Sequence, residues 1–170
     1  MVYYPLWIRF QGRRLALVWQ IGDGEGPVDQ KDAVVVEQGT VASAGTAAEL
    51  QALGLRLGIS LEDDDDDLWE LDGLEDLLEL PPSEEICTRL LNAWNLYDDV
   101  ARSVDCSLDD RSAIARTCYD KLFFGNNLDS ITPAGTQFRP AFNDAEKDAV
   151  REILHRGRII LAGQLRPRRA

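Results

Sequence analysis

The sequence predicts an α+β fold: an N-terminal antiparallel β-meander covered by a short helix, followed by a mainly helical C-terminal half. Three observations carry this reading. Apolar residues alternate with a period of two ahead of residue 44, three helix-capping patterns stand at 46, 72 and 143, and apolar stripes recur at steps of three or four beyond residue 83. With 170 residues and 45% hydrophobic content, the chain suits a single domain over 1–170 with two lobes, β-rich over 1–80 and helical over 81–170.

Leu6, Ile8 and Phe10 alternate with Trp7 and Arg9, and after Gln11-Gly12 the alternation resumes with Leu15, Leu17 and Trp19. This predicts a hairpin with one buried face. The loop through Gly22, Gly24, Gly26 and Pro27 is rich in breakers. A phosphate cradle there would need a helix opening directly after the glycines, and Pro27, Asp23 and Glu25 oppose it. Ala33 to Glu37, turning at Gln38-Gly39 into Thr40 to Ser43, adds two short strands.

Thr46 and Glu49 form a capping box for a helix that presents Leu50, Leu53 and Leu57 on one face and stops at Gly58. Leu68 to Leu71 suits a further strand. Asp72 with Glu75 reads as a second capping box, and Pro81-Pro82 closes the first half. Ser83 then opens a long helix with Ile86, Leu90, Trp94, Tyr97, Ala101 and Val104 in one stripe, the expected central core helix. A second helix is expected from about Leu108 to Phe124, with Ile114, Cys118 and Leu122 inward, ending at Gly125-Asn126-Asn127. Pro133, Gly135 and Pro140 keep the next stretch irregular. A third capping box, Asn143 with Glu146, restarts a helix with Ala149, Val150, Ile153 and Leu154 inward. Gly157 is expected to end that helix, Ile159 to Leu161 to add an edge strand, and Arg166 to Ala170 to fray.

Charge bounds the function. The formal net charge is -12 and roughly a third of the 30 acidic residues fall between Glu62 and Glu79, with no Lys or Arg among them. Direct binding to nucleic acid or an anionic membrane requires clustered Lys and Arg, so neither is expected, whereas a basic protein partner is. No positive n-region or long apolar run marks a leader or a membrane span, which places the chain in the cytoplasm, and the odd number of cysteines (Cys87, Cys106, Cys118) suits reduced thiols there.

No cofactor or metal is implied. One histidine and no C-x-x-C pattern leave no zinc site. A calcium loop starting at Asp63 fails, because its sixth position is Leu68 rather than glycine and its twelfth is Leu74 rather than glutamate, which leaves Asp63 to Asp67 as a solvated loop, a partner-binding surface or a loose cation site. His155, expected in the last turn of its helix, suits the carbonyl end of the dipole. Asp98 and Asp99 are adjacent and diverge by about 100° on a helix, which favours structural work over acid–base catalysis. Phe123 or Phe124, where exposed, would anchor an interface. The candidate partner-binding residues are Asp63, Asp64, Asp65, Asp66, Asp67, Trp69, Glu70, Asp72 and Glu75: the aspartate run as a mobile field, the stretch from Trp69 as a rigid acidic face.

The run Asn92-Ala93-Trp94-Asn95-Leu96-Tyr97-Asp98-Asp99, the segment Tyr119 to Leu128 with Ile131-Thr132-Pro133, and the strand-then-capped-helix opening resemble small acidic immunity proteins encoded beside polymorphic toxins in bacteria. That group spans many folds, so the resemblance implies a role and carries over no residue. The implied role is an inhibitor without enzymatic activity, binding a basic toxin or effector domain such as a nuclease and occluding its active site. Two alternatives fit the sequence: a phage-encoded nucleic-acid mimic that inhibits a host defence effector, and a small enzyme using Asp98, Asp99 or His155.

Overall fold

The computed structural model describes residues 1–22, 32–62 and 67–165. The glycine loop beyond Gly22, the aspartates Asp63 to Asp66 and the C-terminal five residues lie outside them. Among the described residues no helix is long and apolar enough to cross a membrane.

The hairpin forms as expected, with β1 (Val2–Phe10) and β2 (Arg13–Ile21) paired from Val2↔Ile21 to Phe10↔Arg13. Its two-residue turn, Gln11 (φ 51°) and Gly12 (φ 71°), has the left-handed angles that match the twist of the strands. A second hairpin joins β4 (Val36–Glu37) to β5 (Thr40–Val41) through Gln38 (φ 52°) and Gly39 (φ 75°). The short strands β3 (Ala33–Val34) and β6 (Ser43–Ala44) both return to β2, antiparallel.

The sheet departs from a simple meander at β7 (Leu68–Glu70), which pairs with β1 in parallel. A parallel neighbour needs a crossover, and α1 (Ala47–Leu57) lies on the connection that supplies it. The order is β3-β2-β1-β7.

Both faces of the hairpin are covered, where the alternation alone suggested one. Leu6, Ile8, Phe10, Leu15 and Leu17 pack toward the C-terminal helices, while Trp7, Ala16 and Val18 pack with Leu50 and Leu53 of α1. At the start of α1 the Thr46 hydroxyl accepts from the Glu49 amide (3.2 Å), but the Glu49 carboxylate accepts from Gly45 (2.7 Å), one residue before the cap. Gly58 ends the helix at φ 67°.

The expected second capping box does not form. Leu74–Glu79 is a short 3-10 helix capped by Gly73 in the left-handed region, and the Asp72 carboxylate instead accepts the backbone N–H groups of Gln11 (2.7 Å) and Gly12 (2.8 Å). The positive φ of Gln11, unusual for a residue with a side chain, is thus braced from a distant part of the chain.

Beyond Pro82 three helices form the other layer. Helix α2 (Glu84–Ser103), capped by Ser83, buries Leu90, Trp94, Tyr97, Val100 and Ala101. Full burial of side chains such as Leu90 and Val100 contributes roughly 1.5–3 kcal/mol each. Helix α3 (Ala113–Gly125) starts later than expected, at the Ser112 cap. Ala115, Cys118 and Leu122 set its buried face, leaving Ile114 about 100° away and exposed. The irregular stretch after it is held by Asn127, whose side chain accepts from the Phe138 N–H (2.6 Å) and donates to the Phe138 carbonyl (3.0 Å).

Helix α4 (Asp144–Gln164) begins with a complete capping box between Asn143 and Glu146. Lys121 of α3 bonds both carboxylate oxygens of that Glu146 (2.7 and 2.8 Å). The expected break at Gly157 and the strand at 159–161 are absent: α4 runs straight through, Leu161 is fully buried, and His155 is an exposed mid-helix residue. Gly157 is there for close approach, because a Cβ at this position would overlap the ring and the Cβ of Tyr97. Cys87 and Cys118 are buried thiols and Cys106 is exposed; none is bonded to another.

Alanine usually stabilises a helix interior relative to glycine by about 1 kcal/mol. Gly157→Ala should do the reverse and lower stability by about 2 kcal/mol, since no rotamer moves the Cβ of Tyr97 aside. Gly163→Ala, with open space around it, should be neutral or stabilising. Urea unfolding of the two variants checks both signs.

Candidate functional site

The rigid half of the acidic stretch is largely engaged with the rest of the fold. Glu70 accepts from Arg9 Nε (2.8 Å), Asp72 holds the hairpin turn, and Glu75 lies 3.9 Å from Arg158 of α4. Glu79 pairs with Arg151 and stands 3.9 Å from Lys147. Of the candidate partner residues, Asp67 is exposed with no side-chain bond among the described residues, and Asp63 to Asp66 lie outside them. Pairs this exposed contribute about 0–1 kcal/mol each. Their consequence is that Glu70, Asp72 and Glu75 face solvent with part of their charge already answered.

Trp69 leads from the acidic stretch into a cleft. Its ring meets that of Trp19 edge-on, with centroids 6.2 Å apart. Three adjoining cavities of about 330, 540 and 400 Å³ run along one side of α2. The first two share Trp69 and Asn92, and the last two share Asn95, Asp98, Arg102 and Tyr119. Helix α2 forms the floor, through Glu85, Arg89, Asn92, Asn95, Asp98 and Arg102 at steps of three or four. Strand β7 and Trp19 form one bank, and Tyr119 of α3 the other.

The two asparagines differ from the charged residues beside them. The Tyr119 hydroxyl donates to Asn95 Oδ1 (2.9 Å), which fixes that amide and leaves its N–H donors without a partner among the described residues. Asn92 has no side-chain hydrogen bond there at all. Two amides thus stand one turn apart on the floor, open to a ligand.

At the far end of the cleft lies a denser network. Asp99, 6% exposed, accepts from Trp19 Nε1 (3.2 Å) and pairs with Arg102, whose Nε also bonds Asp98 (3.0 Å). Arg102 donates to the Asp32 carbonyl (3.2 Å). The Ser103 hydroxyl donates to the Asp99 carbonyl (2.6 Å) and accepts from Val34 N–H (3.1 Å). These bonds tie the end of α2 to β2 and β3. Burial pushes the Asp99 carboxyl up to about 7, helped by Asp32 and Asp98 and opposed by the Arg102 guanidinium and the Trp19 N–H.

The Asn92, Asn95, Asp98 and Arg102 spacing was readable as a polar stripe beside the apolar one. Trp19, Trp69 and Tyr119 come from three separate elements, and no sequence signal joined them to it. A further cavity of about 390 Å³ shares no lining residue with the cleft and lies where Arg56 makes two bonds to Glu37 (2.8 and 2.9 Å).

Because the folded chain holds the Asp99 proton more tightly than the unfolded chain, which releases it near pH 4, stability should fall as pH rises from about 4 to about 7 and then level off. The drop should be roughly 2–4 kcal/mol. Asp99→Asn should flatten it. Glu146 acts in the opposite sense: Lys121 lowers its carboxyl, so its contribution is lost as pH falls below the usual glutamate range. Denaturant unfolding of both proteins from pH 4 to pH 8 checks the slope.

In comparisons with known proteins, no family model matches the chain, and neither a curated protein nor a solved structure is significantly similar to it.

Proposed function

We propose that this chain is an immunity-type inhibitor, acting in the cytoplasm, that binds a basic toxin domain such as a nuclease and neutralises it by occluding its active site. The observation that carries the reading is the exposed Asp67, from which the chain passes directly into Trp69 on the bank of a preformed cleft. A nuclease must carry Lys and Arg to hold phosphates, and a chain of net charge -12 with an exposed Asp67 at the bank of an aromatic-lined cleft is complementary to it. Steering of this kind raises association rates by about 10-fold to 1,000-fold at low salt. The engagement of Glu70, Asp72 and Glu79 by Arg9, the hairpin turn and Arg151 weighs against a nucleic-acid mimic, which would present a regular row of unanswered charges.

One observation favours a second reading, a small enzyme: the Asp99 carboxyl, pushed up to about 7, borders the largest of the three cavities. An Asp99→Asn chain that folds and still neutralises the toxin separates inhibition from such chemistry.

Co-expression with a basic toxin domain, sought among the products of the neighbouring genes, should restore growth, and the two proteins should purify together; a folded chain that protects against none of them overturns the proposal. Replacing Asp63 to Asp67 with Asn should slow association about ten-fold in low salt, with the difference shrinking as salt rises. Stopped-flow mixing at two salt concentrations measures it, and an unchanged rate removes the run from the mechanism.

A further inference from the structure

We propose that the cleft along α2 takes an extended, basic segment of the partner, read through its peptide backbone by Asn92 and Asn95. This rests on the inhibitor reading and names the part of the partner that enters the site. Three observations meet here. First, a side-chain amide carries two donors and an oxygen with two lone pairs, so it can bond the C=O and N–H of a peptide group together, and Asn95 Oδ1 keeps its second lone pair beside the Tyr119 bond. Asn92 and Asn95 have donors without partners among the described residues, and Tyr119 fixes which side of the Asn95 amide faces which way.

Second, the dimensions suit a strand. From Glu85 to Arg102 the floor is about 25 Å long at 1.5 Å per residue, enough for roughly seven extended residues. The two asparagines stand about 4.5 Å apart along the helix axis, between one and two residues of such a strand. Strand β7 ends the sheet among the described residues, so an extended segment lies beside an edge of its own kind.

Third, the charge selects a basic occupant. Around the two asparagines the cleft presents Asp32, Glu85 and Asp98 against Arg89 and Arg102, with Glu70 shared with Arg9, and Asp67 stands just upstream of its bank. Trp19 and Trp69 add aromatic surface on which an arginine or lysine can rest. Arg102 already occupies the cationic position between Asp98 and Asp99 within the fold, which shows the kind of group that end of the cleft accommodates.

The probe is a seven-residue peptide alternating arginine and serine, titrated into the full chain by tryptophan fluorescence and by amide chemical shifts. Binding should move the Asn92, Asn95 and Trp69 signals and weaken with salt, and the same peptide with glutamate for arginine should not bind. Methylating two central peptide nitrogens, which removes N–H donors without changing charge, should weaken binding about ten-fold. The combined Asn92→Ala and Asn95→Ala variant should lose about the same factor and become insensitive to methylation. Asn92→Ala alone, which leaves the Tyr119 bond in place, should show half of that effect on a logarithmic scale and guards against a disturbed fold in the double variant. Equal binding of methylated and plain peptides to the unaltered chain, binding of the glutamate peptide, or shifts confined to 63–67 would overturn the assignment. Toxin neutralisation is scored separately. If it persists while the peptide fails, the cleft assignment falls and the inhibitor reading stands; if the peptide binds as described while no toxin is neutralised, the inhibitor reading falls.

Discussion

Burial of α2 on three sides is the constraint on which the remaining structure depends. Trp94, Tyr97 and Val100 are almost fully enclosed, and the close approach of α4 that encloses Tyr97 exists because residue 157 has no side chain. A second approach of the same kind occurs at Gly125, where a Cβ would overlap Cys87. Cores are packed at near-crystalline density, so the places where helices come nearest fix the rest. With α3 and α4 seated this way, the one strip of α2 left uncovered is the polar one, and the cleft is what remains after the helix has been surrounded.

That order of cause explains what was legible in the sequence. Capping and periodicity act within a few residues, and they placed the β1–β2 hairpin, α1, α2 and the start of α4. Gly157 and Asp72 were misread for a common reason. A glycine in a helical pattern signals either an end or a close neighbour, and only the position of Tyr97, sixty residues earlier, decides between them. Asp72 satisfied the local pattern of a cap, yet Gly73 adopts the left-handed angles and frees that carboxylate for the turn at Gln11 and Gly12. The floor of the cleft was visible as spacing on a single helix, while its banks depend on strand pairing and helix packing that no local pattern encodes.

The acidic stretch has a divided role as a result. Toward its C-terminal end the carboxylates answer cations on β1 and α4, so they join the two layers while also lining the surface. Evenly spread, a charge of this size would oppose compaction through self-repulsion. Pairing within the fold relieves part of that repulsion where the chain is packed.

The bond from Asp72 to the turn at Gln11 and Gly12 also bears on how the molecule is assembled. It links positions about sixty residues apart, and β7 pairs with β1 over the same interval. A local hairpin such as β1–β2 closes early and cheaply, whereas a parallel strand must first overcome the entropy of a long loop. Completion of the sheet therefore carries the larger entropic cost, and one bank of the cleft is made of the strand that bears it. Until the sheet is complete the chain carries its charge without the cleft, so the cleft depends on full folding and not on the presence of acidic residues alone.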